Sequence, residues 1–148
     1  MFLGQYTHSI DDKGRLTIPA RYREELAEGA YVSQGFERNL MVLTASAYEE
    51  ISQRVNQMSM TDPTTRQLRR LIFATADLVE LDKAGRIRIP QFLREVAGLE
   101  SETVIVGVGD YFEIWSPLAW APQADILQDA DSNTQRFATL DLSSRSAS

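Results

Sequence analysis

The stretch Ile10-Asp11-Asp12-Lys13-Gly14-Arg15-Leu16-Thr17-Ile18-Pro19 returns 71 positions later as Leu81-Asp82-Lys83-Ala84-Gly85-Arg86-Ile87-Arg88-Ile89-Pro90. The copies share Asp11 with Asp82, Gly14 with Gly85, Arg15 with Arg86, Ile18 with Ile89 and Pro19 with Pro90, and the match continues into Arg23-Glu24 and Arg94-Glu95. Asp-x-x-Gly suits a tight turn, because the carboxylate accepts from the turn amides and glycine tolerates the left-handed conformation. Each copy therefore reads as strand, tight turn, strand. After the turn, Arg15 and Thr17 alternate with Leu16 and Ile18, and Arg86 and Arg88 with Ile87 and Ile89. One face of each strand is thus expected to be buried and the other to present arginine.

Outward from the turns, Gln5 to Ile10 reads as a first strand with Tyr6, His8 and Ile10 on one side, His8 being a strand-face residue rather than a functional group. Pro19 stops the second strand and opens a short helix from Ala20 to about Ala27, ended by Glu28-Gly29. Tyr31 to Gly35 and Leu40 to Thr44 form a further strand pair. Ser46-Ala47-Tyr48-Glu49 has the capping-box form, and Tyr48, Ile51, Val55 and Met58 recur at helical spacing, so a helix is expected over 47–58. Asp62-Pro63 starts another, with Leu68, Leu71 and Ile72 as its apolar face.

The second copy repeats the order. Asp77 to Leu81 is its first strand, Pro90 opens a helix that Gly98 caps, and Thr103 to Val108 pairs with Tyr111 to Trp115. With one residue inserted, Gly107 lies over Gly35 and Trp120 over Tyr48, while Phe112, Ile114, Trp115 and Trp120 read as core. The organisation is thus α+β: a repeat over 5–47, a helical connector over 48–75, a second repeat over 76–122 and an acidic, polar segment over 123–148. Each copy, at about 45 residues, is too small to fold alone, so the two are expected to share one core about an approximate twofold. From Asp129 the chain is polar and Ser-rich without apolar periodicity, and its last fifteen or so residues are expected to be mobile.

Composition narrows the function. There is no cysteine and one histidine, which excludes a Cys/His zinc site and leaves His-based catalysis without support. Asp11 and Asp82 sit where turns want aspartate, with no nucleophile, metal cluster or phosphate-cradling loop nearby, so the chain is not read as an enzyme and no cofactor or metal is expected. No long apolar run or export signal is visible, and a cytosolic protein without membrane contact is expected.

The net charge of −6 is concentrated at one end. Residues 1–97 carry 13 Lys and Arg against 13 Asp and Glu, whereas residues 98–148 carry 2 against 8. Both basic turns lie in the balanced part. Lys13, Gly14 and Arg15 with Lys83, Gly85 and Arg86 are therefore the candidate DNA-binding residues, supported by Asp11 and Asp82. A ribbon tip fits a DNA groove, glycine permits close approach of the backbone to phosphate, and arginine grips guanine edges or phosphate bidentately. Taken alone, Asp11 with Arg15 and Asp82 with Arg86 are ordinary cross-turn ion pairs; the duplication is what favours function. Arg66, Arg69 and Arg70 share one side of the connector helix and read first as a solvated face.

Met1-Phe2-Leu3-Gly4, the Asp11-to-Pro19 segment, Arg21-Tyr22-Arg23 and the Asp82-to-Pro90 segment resemble the MraZ family over residues 1–122. The resemblance implies an AbrB-like, duplicated swapped-hairpin β-barrel with short helices. It implies a transcriptional regulator of the division and cell-wall genes, bound to double-stranded DNA at direct repeats upstream of its own operon as a homo-oligomeric ring, and hence nucleoid-associated. The family's DNA-contacting loops fall on Lys13, Gly14 and Arg15, and on Gly85 and Arg86; Ala84 replaces Lys13 in the second copy, with Lys83 one position earlier. The alternative function is an oligomeric scaffold that binds protein partners through the same tips.

Overall fold

A computed structural model describes residues 1–143. The first half runs β1 (Gln5–Ser9), β2 (Arg15–Thr17), α1 (Ala20–Arg23), β3 (Ala30–Gln34), β4 (Leu40–Thr44), α2 (Ala45–Asn56) and α3 (Pro63–Arg69), which continues into a π-helical turn over Arg70–Ala74. The second runs β5 (Asp77–Val79), β6 (Arg86–Arg88), α4 (Gln91–Ala97), β7 (Glu102–Gly107), β8 (Tyr111–Trp115), α5 (Pro117–Gln128) and α6 (Ala130–Phe137).

The strands on either side of each turn do not form the expected hairpin. β1 pairs with β7, and β2 pairs with β6, so only the isolated bridge Ile10–Leu16 joins the two arms of the first turn. The reason is burial: β2 is three residues long, and pairing it with its equivalent from the other copy sets Leu16 opposite Ile87 on one apolar face. Both are essentially inaccessible to solvent.

Among the described residues, the other six strands form an antiparallel sheet in the order β1-β7-β8-β4-β3-β5. Exchanging the two copies turns that order into its own reverse, which is the approximate twofold expected from the repeat. The sheet remains open, with β1 and β5 at its edges, and β2–β6 is a separate ribbon. The expected closed barrel is therefore not formed by strand pairing.

Three apolar layers result. Between ribbon and sheet lie Leu16, Ile18, Ile87 and Ile89 against Val32, Leu40, Val42, Ile105, Phe112 and Ile114, sealed by Tyr22, Leu26 and Leu93. On the sheet's other face Met41 and Leu43 pack under Tyr48, Ile51, Leu68 and Ile72 from the helical connector. Alternate residues of β4 therefore face two cores, so that Leu40 to Leu43 are all buried. Val106, Trp115 and Trp120 form a third cluster under α5, so the aromatic group read as one core is split between two.

Several helix boundaries differ from those expected. Pro19 and Pro90 stand just before their helices rather than at the first helical position. α1 is one turn long, and residues 24–29 continue as successive i→i+3 turns, including Leu26 N–H to Arg23 and Gly29 N–H to Leu26. α2 begins at Ala45 because Thr44 Oγ1 accepts from Ala47 N–H at 3.1 Å; Ser46 is not its cap. Its counterpart Ser116 accepts from Ala119 N–H at 3.1 Å and caps α5, consistent with the one-residue insertion. Asp62 caps α3 and Gly98 closes α4 with φ of +66°, both as expected. The polar segment after Asp129 forms α6, because Asp129 accepts from Ser132 N–H and Arg136 reaches back to the Ile126 carbonyl. The expected mobile end begins within α6, and its last five residues lie outside the described ones.

Candidate nucleic-acid interface

Both Asp-x-x-x-Arg loops are built by the same bonds. Asp11 Oδ1 accepts from the amides of Lys13 at 3.0 Å and Arg15 at 2.8 Å, while Oδ2 accepts from Arg15 Nε at 2.7 Å. Asp82 Oδ1 accepts from Ala84 and Arg86 amides, both at 2.9 Å, and Oδ2 from Arg86 Nε at 2.9 Å. A backbone pair closes each turn: Gly14 N–H reaches the Asp11 carbonyl at 3.0 Å, and Gly85 N–H reaches Asp82 at 3.0 Å. The backbone amide of Arg15 holds the Asp11 carboxyl below the usual carboxylate range, helped by the Arg15 side chain; the amide and side chain of Arg86 do the same for Asp82.

Each arginine is thus held through Nε. Arg86 Nη1 also stands 4.0 Å from Asp11 Oδ2, linking the two loops. The loops are further laced by the backbone, since Ile18 N–H donates to the Gly85 carbonyl at 2.9 Å and Ile89 N–H to Gly14 at 2.7 Å. Lys13, Lys83 and Ala84 are exposed, and among the described residues neither lysine has a carboxylate within ion-pair distance.

Gly14 and Gly85 are instead buried, at φ of +82° and +77°. A β-carbon on Gly14 would stand 2.7 Å from the Ile89 carbonyl oxygen, so glycine is required there by packing as well as by the turn. Because the ribbon is antiparallel, the loop of Asp11, Lys13 and Gly14 lies at one end of it beside Ile89 and the loop of Asp82, Lys83 and Gly85 at the other beside Ile18, with Arg15 and Arg86 on the three-residue strands between them. Three further arginines stand here that the sequence reading left outside the candidate DNA-binding set. Arg88 is exposed and lies directly opposite Arg15 in the ribbon. Arg23 and Arg94 lie under the loops; their repetition was visible, but not that each would reach across the twofold. Arg66 donates to the backbone carbonyl of Met60 and Arg69 to that of Val55 in the connector, with half-buried Arg69 also over the Phe73 ring.

A family model described as "MraZ protein, putative antitoxin-like" matches twice, over residues 1–71 and 72–143. The chain belongs to the MraZ family. Relatives include a protein of Thermomicrobium roseum, 47% identical over 141 residues, which span 95% of this chain and 99% of the relative. One from Roseiflexus castenholzii is 46% identical over 93% of this chain and 94% of its own length, and one from Dictyoglomus thermophilum 41% over 95% and 98%. All three are named transcriptional regulator MraZ. The double match of the MraZ model follows the internal repeat, so both loops lie within matched segments.

Proposed function

We propose that the chain is a sequence-specific DNA-binding transcriptional regulator, not an enzyme, that acts in the cytoplasm on the nucleoid as a homo-oligomer, in ring form, on direct repeats upstream of its own division and cell-wall operon, as a repressor. The reading rests on one observation above all: two loops of the same bonding pattern stand at the two ends of one short ribbon, each followed by an arginine held by an aspartate. Such an arginine is oriented before it meets a base edge or phosphate, so less of its freedom is lost on binding. Lys13, Gly14 and Arg15 form one tip and Lys83, Gly85 and Arg86 the other, the glycines setting loop shape. The pairing of β2 with β6 supports a swapped-hairpin reading of the two copies, and the names of the relatives support regulation of transcription.

The charge balance supports action as an assembly. One chain carries few basic groups at its tips and an acidic last third, so a single subunit is expected to bind DNA weakly. Several subunits would make later contacts intramolecular and raise avidity roughly 10²-fold or more when the repeats fit the spacing. The test is a gel shift on the protein's own upstream DNA with one, two and three repeats, then with about five base pairs inserted between repeats to turn the next site away. Affinity rising steeply with repeat number and collapsing on insertion is expected. Equal affinity for all probes overturns the multivalent reading, and no shift by a properly assembled oligomer favours the scaffold that binds proteins through its tips.

A further inference from the structure

Two arginines outside the loops reach into them from the opposite copy. Arg23, at the end of α1, lies against Gly85, and Arg94, in α4, lies against Gly14. A β-carbon on Gly85 would stand 2.5 Å from Nε and 2.7 Å from Nη1 of Arg23, and one on Gly14 would stand 2.9 Å from both Nε and Cζ of Arg94. These contacts are closer than any real β-carbon keeps, so each guanidinium occupies the space that a side chain on the glycine would need.

Each guanidinium is oriented from its own copy. Arg23 Nε donates to the Ile18 carbonyl at 3.0 Å, and Arg94 Nε donates to Ile89 at 3.1 Å. The same two isoleucines donate their amides to the glycine carbonyls of the opposite loops. A closed circuit results: the Gly85 carbonyl accepts from Ile18 N–H, the Ile18 carbonyl accepts from Arg23, and Arg23 packs on Gly85. The circuit through Ile89, Arg94 and Gly14 is its twofold mate. Among the described residues neither arginine has a carboxylate within ion-pair distance, so both are held by backbone and packing.

We propose that Arg23 and Arg94 are crossed positioning residues, each fixing the shape of the other copy's loop so that both tips form one rigid reading head. The proposal rests on the DNA-binding reading above. Gly85 immediately precedes Arg86 and Gly14 precedes Arg15, so a shift of either glycine redirects the arginine that meets DNA. A planar guanidinium packs flat on a glycine while its Nε donates sideways; a lysine ammonium keeps the charge but not that geometry.

The experiment uses the full chain with Arg23→Ala, Arg94→Ala, Arg23→Lys and Arg94→Lys. Hydrogen exchange is followed by mass spectrometry in peptides holding each loop, and binding is measured to a duplex selected from a random pool by the unaltered protein and to a scrambled duplex of equal length. Arg94→Ala is expected to speed exchange in the loop holding Gly14, and Arg23→Ala in the loop holding Gly85. Preference for the selected over the scrambled duplex should fall about tenfold, the worth of one well-placed base contact. Binding to the scrambled duplex and its salt dependence should be unchanged, and the lysine variants should lose preference similarly. Should an alanine variant lose cooperative unfolding, the lysine variant gives the same comparison.

Faster exchange confined to each arginine's own loop overturns the crossed support. A salt slope on the scrambled duplex lower by about one makes the residue a phosphate contact instead, and full preference in the lysine variants makes it a mere charge. If the unaltered protein selects no duplex, the DNA reading itself fails and takes the reading head with it, while the exchange pattern still decides whether the support is crossed.

Discussion

Arg15 of one copy stands directly opposite Arg88 of the other in the β2–β6 ribbon. Like charges across an antiparallel pair repel, and only Arg15 has an aspartate to offset its charge. The first copy has Thr17 where the second has Arg88, so the repeat does not require a cation there. Arg88→Thr is expected to leave stability unchanged or raise it by about 0.5 kcal/mol at low salt. If the ribbon face meets DNA, the same change should flatten the salt dependence of binding by about one unit of slope. Thermal unfolding and binding titrations at several salt concentrations check both.

Gly14 and Gly109 have similar left-handed φ values, +82° and +94°, but different surroundings. A β-carbon on Gly109 meets nothing within 4 Å, whereas one on Gly14 meets the Ile89 carbonyl and the Arg94 guanidinium. Gly109→Ala should cost about 1 kcal/mol from backbone conformation alone, and Gly14→Ala about 2 kcal/mol or more. Unfolding midpoints should separate the two by several degrees, and equal midpoints would contradict the packing of the loops.

Acid should loosen both loops. The carboxyl groups of Asp11 and Asp82 titrate below their ordinary values in the folded chain, chiefly because backbone amides of Arg15 and Arg86 bond the charged form. A depressed folded pKa contributes stability that is complete above the unfolded value, near about 4, and is lost as pH falls through the folded one. The variant Asp11→Asn/Asp82→Asn keeps an amide acceptor but does not titrate, so its midpoint should fall less steeply below about pH 4 than that of the unaltered chain. Parallel curves would show that the two carboxylates carry no acid sensitivity.

The cap of α2 offers a local test. Thr44→Ala removes the acceptor for Ala47 N–H and should cost about 1 kcal/mol, whereas Ser46→Ala should cost a few tenths. The opposite ranking in denaturant unfolding would restore the capping box at Ser46.

A fragment of residues 1–70 should fail to fold as a cooperative monomer. β1, β2, β3 and β4 each pair with a strand of the second copy, leaving the fragment with only the β3–β4 ladder of its own. A two-stranded hairpin is marginal in water. Circular dichroism with sedimentation is expected to show unfolded chain or a self-paired dimer; a folded monomer would contradict the shared core.

The amino-acid sequence by itself determined the duplication, the two Asp-x-x-x-Arg turns, the alternation that buries Leu16, Ile18, Ile87 and Ile89, and the family. Those features are local, or recur at a fixed offset, and turn chemistry and side-chain period are properties of a few neighbouring residues. Helix starts were legible where one residue dominates, as at Asp62, and misplaced at Thr44, where a strand's last residue also serves as a cap. α6 was missed because its hold on the chain comes from Asp129 and Arg136 rather than from an apolar stripe. Only the tertiary structure decided which strands pair, because a three-residue strand such as β2 meets the demands of a hairpin partner and of its twofold mate alike in local terms. The choice falls to the pairing that sets Leu16 on Ile87 inside one shared core, and that same choice carries Arg23 under Gly85 and Arg94 under Gly14.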